Sequence, residues 1–249
     1  MTSVTTTFDG GTVGANISAG SNGIQAVVDA LVPVFATGFH GAAQVHAGGS
    51  SNTADSRFRV DTGVSGDQYG SIYLKYNTPH SSSGNFLIFL SWVNSSNTII
   101  ASLRAGSARE LNIRVGASTV VRTGSSGDIP NNSEYRFDWR VNGTTIEWKQ
   151  FNSPEASAGS TPDLSGTITG ISGTVSRLTL GPTSSTALTK DWNYDTIRSR
   201  DVTGWWDPYN PATGPAIKVW NGSTEVTPTS IKYWNGSAEV AILSTETAP

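Results

Sequence analysis

The sequence predicts an all-β protein: an antiparallel β-sandwich over residues 1–209, then a linker and two short β-hairpin repeats over 210–249. Three observations carry this reading. Charged residues make up 14% of the chain, against about 25% in an average soluble domain. Ser, Thr, Gly and Asn fill the difference and favour strands and turns over helices. Apolar and polar residues alternate in strand-length segments bounded by Gly/Ser/Asn clusters. Near the C-terminus, one ten-residue pattern occurs twice.

Taken in chain order, the first segment is the exception. Ile24, Val27, Val28 and Leu31 have helical spacing, with Asn22 as a cap and Pro33 as a stop, so a short helix and an irregular loop both fit. Ile72, Leu74 and Tyr76 alternate with polar neighbours, as do Leu111, Ile113 and Val115, the pattern of half-buried strands. Phe86–Leu90 is apolar on both faces and reads as a central strand, with residues 97–104 as its antiparallel partner after the turn Asn94-Ser95-Ser96. Residues 135–151 read as a hairpin about Asn142-Gly143, a pair suited to a two-residue type I′ turn. That turn pairs Val141 with Thr144, Trp139 with Ile146 and Phe137 with Trp148, and it sets Asp138 opposite Glu147.

After Asp201 the character changes. Gly204–Pro211 is aromatic and turn-rich, and Pro211–Pro215 reads as a stiff linker. Ile217-Lys-Val-Trp220-Asn-Gly-Ser-Thr-Glu-Val226 then matches Ile231-Lys-Tyr-Trp234-Asn-Gly-Ser-Ala-Glu-Val240. A lone two-stranded hairpin is marginal in water, so this pair needs a docking surface. The chain has eight Trp. Trp205, Trp206, Tyr209, Trp220, Tyr233 and Trp234 lie beyond the predicted core and are the candidate binding or interface residues. Docking on the main domain or on a neighbouring subunit takes precedence over ligand stacking. The sequons at Asn94, Asn142, Asn221 and Asn235 are read as turns.

Composition and motifs narrow the chemistry. The net charge of −3 is spread along the chain, with no basic run for nucleic acid or an anionic membrane. There is no cysteine, hence no disulfide or thiolate metal site. Phe86–Val93, the longest apolar stretch, is too short to cross a bilayer. The first residues lack the pattern of a signal peptide, and folding in a reducing cytoplasm is expected. Asp138 facing Glu147 could form a glycosidase pair; Arg136, Arg140 and Lys149 on the same face offer the simpler role of neutralising them. His40, His46 and His80 lack zinc-ligand spacing. No nucleophile elbow or Gly-rich phosphate loop is present. Asp9, Asp191, Asp195 and Asp201 could offer oxygens to calcium, but Asp beside Gly mostly serves turns. No cofactor and no metal ligand is assigned, calcium staying open.

Several segments together resemble a known family. They are Thr7-Phe8-Asp9, Phe39-His40-Gly41-Ala42-Ala43, Glu134–Val141, Leu178–Gly181 and Asp191-Trp192-Asn193-Tyr194-Asp195-Thr196-Ile197. Their order is similar to that of the concanavalin-A-like jelly roll in minor tail proteins of phages that infect actinobacteria. Gly204–Tyr209 resembles the Gly-Trp-x-x-Pro-Tyr segment that follows the closing strand there, and the Trp-Asn-Gly-Ser repeats resemble short C-terminal modules of phage structural proteins. The resemblance implies a non-enzymatic virion component of the tail or tail tip, assembled in the bacterial cytoplasm. Its partners would be other virion proteins or a host-surface glycan, and it would be a homo-oligomer, a trimer by preference. The Glu-x-Asp-x-x-Glu run of glucanases with this fold is absent. A stand-alone carbohydrate-binding module is the alternative, and a glycan hydrolase a third reading. Deleting residues 216–249 is expected to weaken assembly while the sandwich stays folded; sedimentation and thermal unfolding of the truncated chain measure both.

Overall fold

The computed structural model describes residues 3–208 except 9, 21–23, 30, 39–42, 50–53, 65, 117–118, 185–187 and 202–203. Beyond them it describes the strand residues 219–220, 225–226, 230–234 and 239–244. The strands are β1 (Ser3–Thr6), β2 (Ile24–Val27), β3 (Val34–Thr37), β4 (Ala43–Gly49), β5 (Phe58–Asp61) and β6 (Gln68–Tyr76). Next come β7 (Phe86–Val93), β8 (Ile99–Gly106), β9 (Leu111–Val115), β10 (Thr119–Arg122), β11 (Glu134–Asn142) and β12 (Thr145–Phe151). They are followed by β13 (Leu164–Thr169), β14 (Arg177–Thr183) and β15 (Lys190–Arg200). The C-terminal unit, Asn210–Pro249, contains β16 (Val219–Trp220), β17 (Glu225–Val226), β18 (Ser230–Trp234) and β19 (Glu239–Ser244).

The first unit, Met1–Tyr209, is a sandwich of two antiparallel sheets. One is eight-stranded, in the order β13-β12-β11-β6-β15-β4-β3 with β1 added on β15. The other is seven-stranded, in the order β10-β9-β8-β7-β14-β5-β2. Neighbours distant in sequence, such as β6 beside β15 and β7 beside β14, make this a jelly roll. Segment 24–27 is a strand that pairs with β5, and neither a helix nor an irregular loop. Its apolar residues at helical spacing serve a bulged edge strand instead, with the register shifting between Ile24 and Ala26.

The 135–151 hairpin keeps the predicted apolar face but shifts by two residues. Trp139 pairs with Trp148, Val141 with Ile146 and Asn142 with Thr145. The two-residue loop is therefore Gly143-Thr144. Gly143 takes φ +55°, whereas Thr144 is not in the left-handed region, so a single glycine at the first loop position suffices, as in a type II′ turn. Asp67 secures the turn by accepting the Gly143 amide at 2.7 Å. A shift of two preserves side-chain alternation, which is why the face survives the change of register.

Aromatic rings join the sheets. The Trp192 indole lies between Tyr76 (4.3 Å, 14°) and Phe89 (4.1 Å, 9°), offset stacks that add to the area each ring buries. Phe89 sits at a bulge: Ile88 pairs with Arg104 and Leu90 with Leu103, leaving Phe89 outside the ladder. The β14 ladder is also interrupted there, between Leu180 and Thr183. Tyr194, from the opposite sheet, donates its hydroxyl to the Phe89 carbonyl at 2.8 Å. Burial pushes the Tyr194 phenol well above its ordinary pKa, and a hydrogen bond with the Gly181 backbone pulls the other way. Gly181 has φ +106°, and a Cβ there would lie 2.0 Å from the Ser56 carbonyl oxygen. In the second unit the hairpins share one register: Trp220 pairs with Glu225 and Trp234 with Glu239, each across four intervening residues. Tyr194→Phe is expected to cost about 1–3 kcal/mol, because it orphans a buried carbonyl; urea unfolding measures it.

Candidate functional site

The outer face of the seven-stranded sheet carries a row of groups that the sequence disperses over five strands. Arg114 pairs with Ser102, Ser102 with Ser91, Ser91 with Thr179 and Thr179 with Arg59. Core packing takes Leu90 and Trp92 on β7, Leu103 on β8 and Leu178 and Leu180 on β14. Alternation then turns Ser91, Ser102 and Thr179 outward. The result is a row of short hydroxyl side chains with an arginine at each end, in which Ser91 and Ser102 are buried (3% and 2% exposed) and Ser91 and Thr179 line a cavity. A cavity of about 220 Å³ opens over its β7–β14–β5 half, bounded by Arg57, Arg59, Ile88, Val93 and Ile99. That volume is below a drug-sized pocket and suits one unit of a chain lying across the sheet.

The acids on this face are already engaged. Asp29 takes both Nε and Nη2 of Arg57 at 2.8 Å each, and Asp61 accepts Arg177 Nε at 2.6 Å. Asp55 binds Lys190 at 2.7 Å and Thr183 at 2.5 Å. Burial depresses the Arg104 pKa to about 10, with Arg114 adding repulsion. Arg59 is lowered by burial and by Arg57 and Arg177, against the opposing pull of Asp29. A guanidinium does not lose its proton at neutral pH, so both arginines stay charged.

The outer face of the eight-stranded sheet is also charged, but it is covered. Arg136 and Asp138 are both 0% exposed and pair at 3.1 Å. Arg136 also donates to the Pro154 carbonyl at 2.8 Å and lies over the Phe151 ring. Burial pushes the Asp138 carboxyl up, against the pull of Arg136, Ser71 and Arg198. Asp138 stands opposite Lys149, and Glu147 opposite Arg140, which it meets at 3.5 Å. The expected facing of Asp138 and Glu147 does not occur, because the register moves by two, and with it goes the candidate glycosidase pair.

Residues 204–207 form a strap over this face. Trp205 carries Lys149 over its ring at 4.3 Å and meets the edge of Tyr69. Trp206 carries Arg198 at 4.6 Å and Arg200 at 4.1 Å. Arg198 donates to the Asp207 carbonyl, and Arg200 to those of Gly204 and Trp205. Of the other candidates, Trp220 lies in β16 and Tyr233 and Trp234 in β18; Tyr209 lies outside the described residues.

The calcium candidates disperse. Asp191 accepts His46 (2.8 Å), Asn77 (2.9 Å) and Thr78 (2.8 Å). Burial alone would raise its carboxyl, but these bonds outweigh it and hold the pKa below the ordinary value. Asp195 accepts the Thr196 amide and hydroxyl. Asp201 lines a separate cleft with Asp67 and Arg140, and Asp9 and His40 lie outside the described residues. Among the described residues no three His, Asp or Glu side chains gather as a metal site.

Two sheets in this order define a concanavalin-A-like jelly-roll sandwich. No family profile and no curated protein matches the chain. Solved structures do. The cellulose induced protein Cip1 shares 15% identity at a TM-score of 0.54, over 82% of this chain and 99% of its own. A protein of unknown function from Shewanella oneidensis shares 12% at 0.50, over 79% and 85%. Peanut lectin shares 9% at 0.48, over 82% and 100%. At these identities the likeness is one of fold. Removing one partner of the buried pair, as in Asp138→Ala, is expected to cost about 3–5 kcal/mol, whereas Arg136→Met with Asp138→Leu costs less; chemical denaturation of the three chains compares them.

Proposed function

We propose that the chain is a non-enzymatic structural protein of a phage particle, a minor tail or tail-tip component, whose sandwich binds a host-surface glycan along the outer face of the seven-stranded sheet. The row Arg114–Ser102–Ser91–Thr179–Arg59 carries the glycan part of this reading. Short hydroxyls and guanidinium forks match the hydroxyls and ring oxygens of a saccharide, and Arg57, Arg59, Thr179 and Thr183 bring them to the cavity wall. The phage part rests on the resemblance of the sequence, above all the doubled Trp-Asn-Gly-Ser hairpin. A catalytic role has no support from the one acidic pair considered, since Asp138 is fully buried and bound to Arg136. In this reading the protein works in the virion as a homotrimer, beside other tail proteins.

A stand-alone carbohydrate-binding module would use the same face and differ only in its absence from particles. Proteomics of purified virions separates the two: the chain is expected among the tail proteins. In a pull-down with isolated host envelopes, Thr179→Trp, which fills the groove floor, is expected to reduce binding at least tenfold. Equal binding by that variant would remove the groove from the reading.

A further inference from the structure

We infer that the ligand of this groove is an acidic glycan, a polyhydroxylated chain bearing carboxylate or phosphodiester groups, engaged by Arg59, which lines the cavity with Ser91 and Thr179, and by Arg104, which pairs with the cavity residue Ile88 from the neighbouring strand β8. The inference rests on the glycan-binding reading above and specifies its chemistry.

Three observations converge. The first is the supply of donors. The Nε atoms of Arg59 and Arg104 are buried, with no acceptor among the described residues. Buried donors of this kind are normally satisfied, and a charged one left open is costly. Arg104 is held over the Phe86 ring at 4.8 Å, which orients the guanidinium without supplying an anion. The second is the electrostatic balance. Asp29, Asp61 and Asp55 serve Arg57, Arg177 and Lys190, so the nearby carboxylates are committed elsewhere. An anion entering the groove would relieve the crowding of Arg59 by Arg57 and Arg177 and of Arg104 by Arg114.

The third is the lining. Among the described residues that bound the cavity there is no aromatic side chain. A site for neutral sugars, or for the bases of a nucleic acid, would be expected to offer a ring to stack on. This one offers aliphatic side chains, hydroxyls and guanidinium forks. The geometry also sets a length. Arg59 and Arg114 are four strand spacings apart in one row, roughly 19 Å at about 4.8 Å per strand. A ligand spanning the floor would thus carry several units, with anionic groups recurring along it.

The test is calorimetric titration of the full-length protein with a galacturonate hexamer, its fully methyl-esterified form, a short poly(glycerol phosphate) and an oligothymidylate of equal charge. The acid hexamer or the polyphosphate is expected to bind at least tenfold more tightly than the neutral ester, and which of them does so identifies carboxylate or phosphodiester. The preference should shrink at high salt. Arg59→Gln and Arg104→Gln, each checked for an unchanged melting temperature, should abolish the preference while sparing any weak binding of the ester. Ester bound as tightly as acid would overturn the acidic class and leave the glycan reading standing. Tightest binding of the oligothymidylate would overturn the inference in favour of a nucleic acid. Failure of all four, with envelope binding indifferent to Thr179→Trp, would sink the groove reading itself.

Discussion

In β7 the side chains of Leu87, Phe89, Leu90 and Trp92 all belong to the core, which a regular strand cannot arrange, since its side chains alternate strictly. The bulge at Phe89 resolves the conflict by resetting the alternation within the strand. Its backbone is compensated from the facing sheet, where Tyr194 donates to the freed carbonyl, and its ring is taken up in the stack with Trp192 and Tyr76. The same reset turns Ser91 outward, into line with Ser102 and Thr179. Core packing and the polar row are thus two results of one irregularity. Gly181 completes it, since only a residue without Cβ fits its approach to Ser56.

The two outer faces treat charge in opposite ways. On the eight-stranded sheet, Arg136 pairs with Asp138 and Arg140 with Glu147, while Arg198 and Arg200 are held by the Trp206 ring and strap carbonyls. Such an arrangement stabilises the strap's position more than it stabilises the fold, because desolvation offsets most of the attraction of a buried pair. On the seven-stranded sheet the row is made of small hydroxyls with Arg59 and Arg114 at its ends.

Much of this could be read in the sequence, and the failures have physical causes. Alternation identified β6 and β9, because burial leaves a period-two record where a strand has one core face, and a continuous apolar run identified β7. The 135–151 hairpin kept its face but not its register, since a shift of two leaves that record unchanged and only the turn decides. The helical spacing misled because Ile24 and Val27 belong to a bulged edge strand while Val28 and Leu31 follow it outside any strand. The groove was invisible for another reason. Arg59, Ser91, Ser102, Arg114 and Thr179 each look like an ordinary outward position, and only the strand order places them in a row. The bond between His46 and Asp191 spans 145 positions, beyond any local pattern. Trp205 and Trp206 were legible as aromatics outside the core, but not as lids over Lys149, Arg198 and Arg200.

The strap gives the sandwich a direction. Its residues leave along the eight-stranded face, pinned by Arg198, Arg200 and the Ala158 amide, which Asp207 accepts at 2.9 Å. The arginine-flanked groove lies on the reverse side. Within the sandwich, the strap and the pair Arg59 and Arg104 are thus set on opposite faces. That opposition is fixed by hydrogen bonds of the strap itself, from Arg198, Arg200 and Ala158 to residues 204–207.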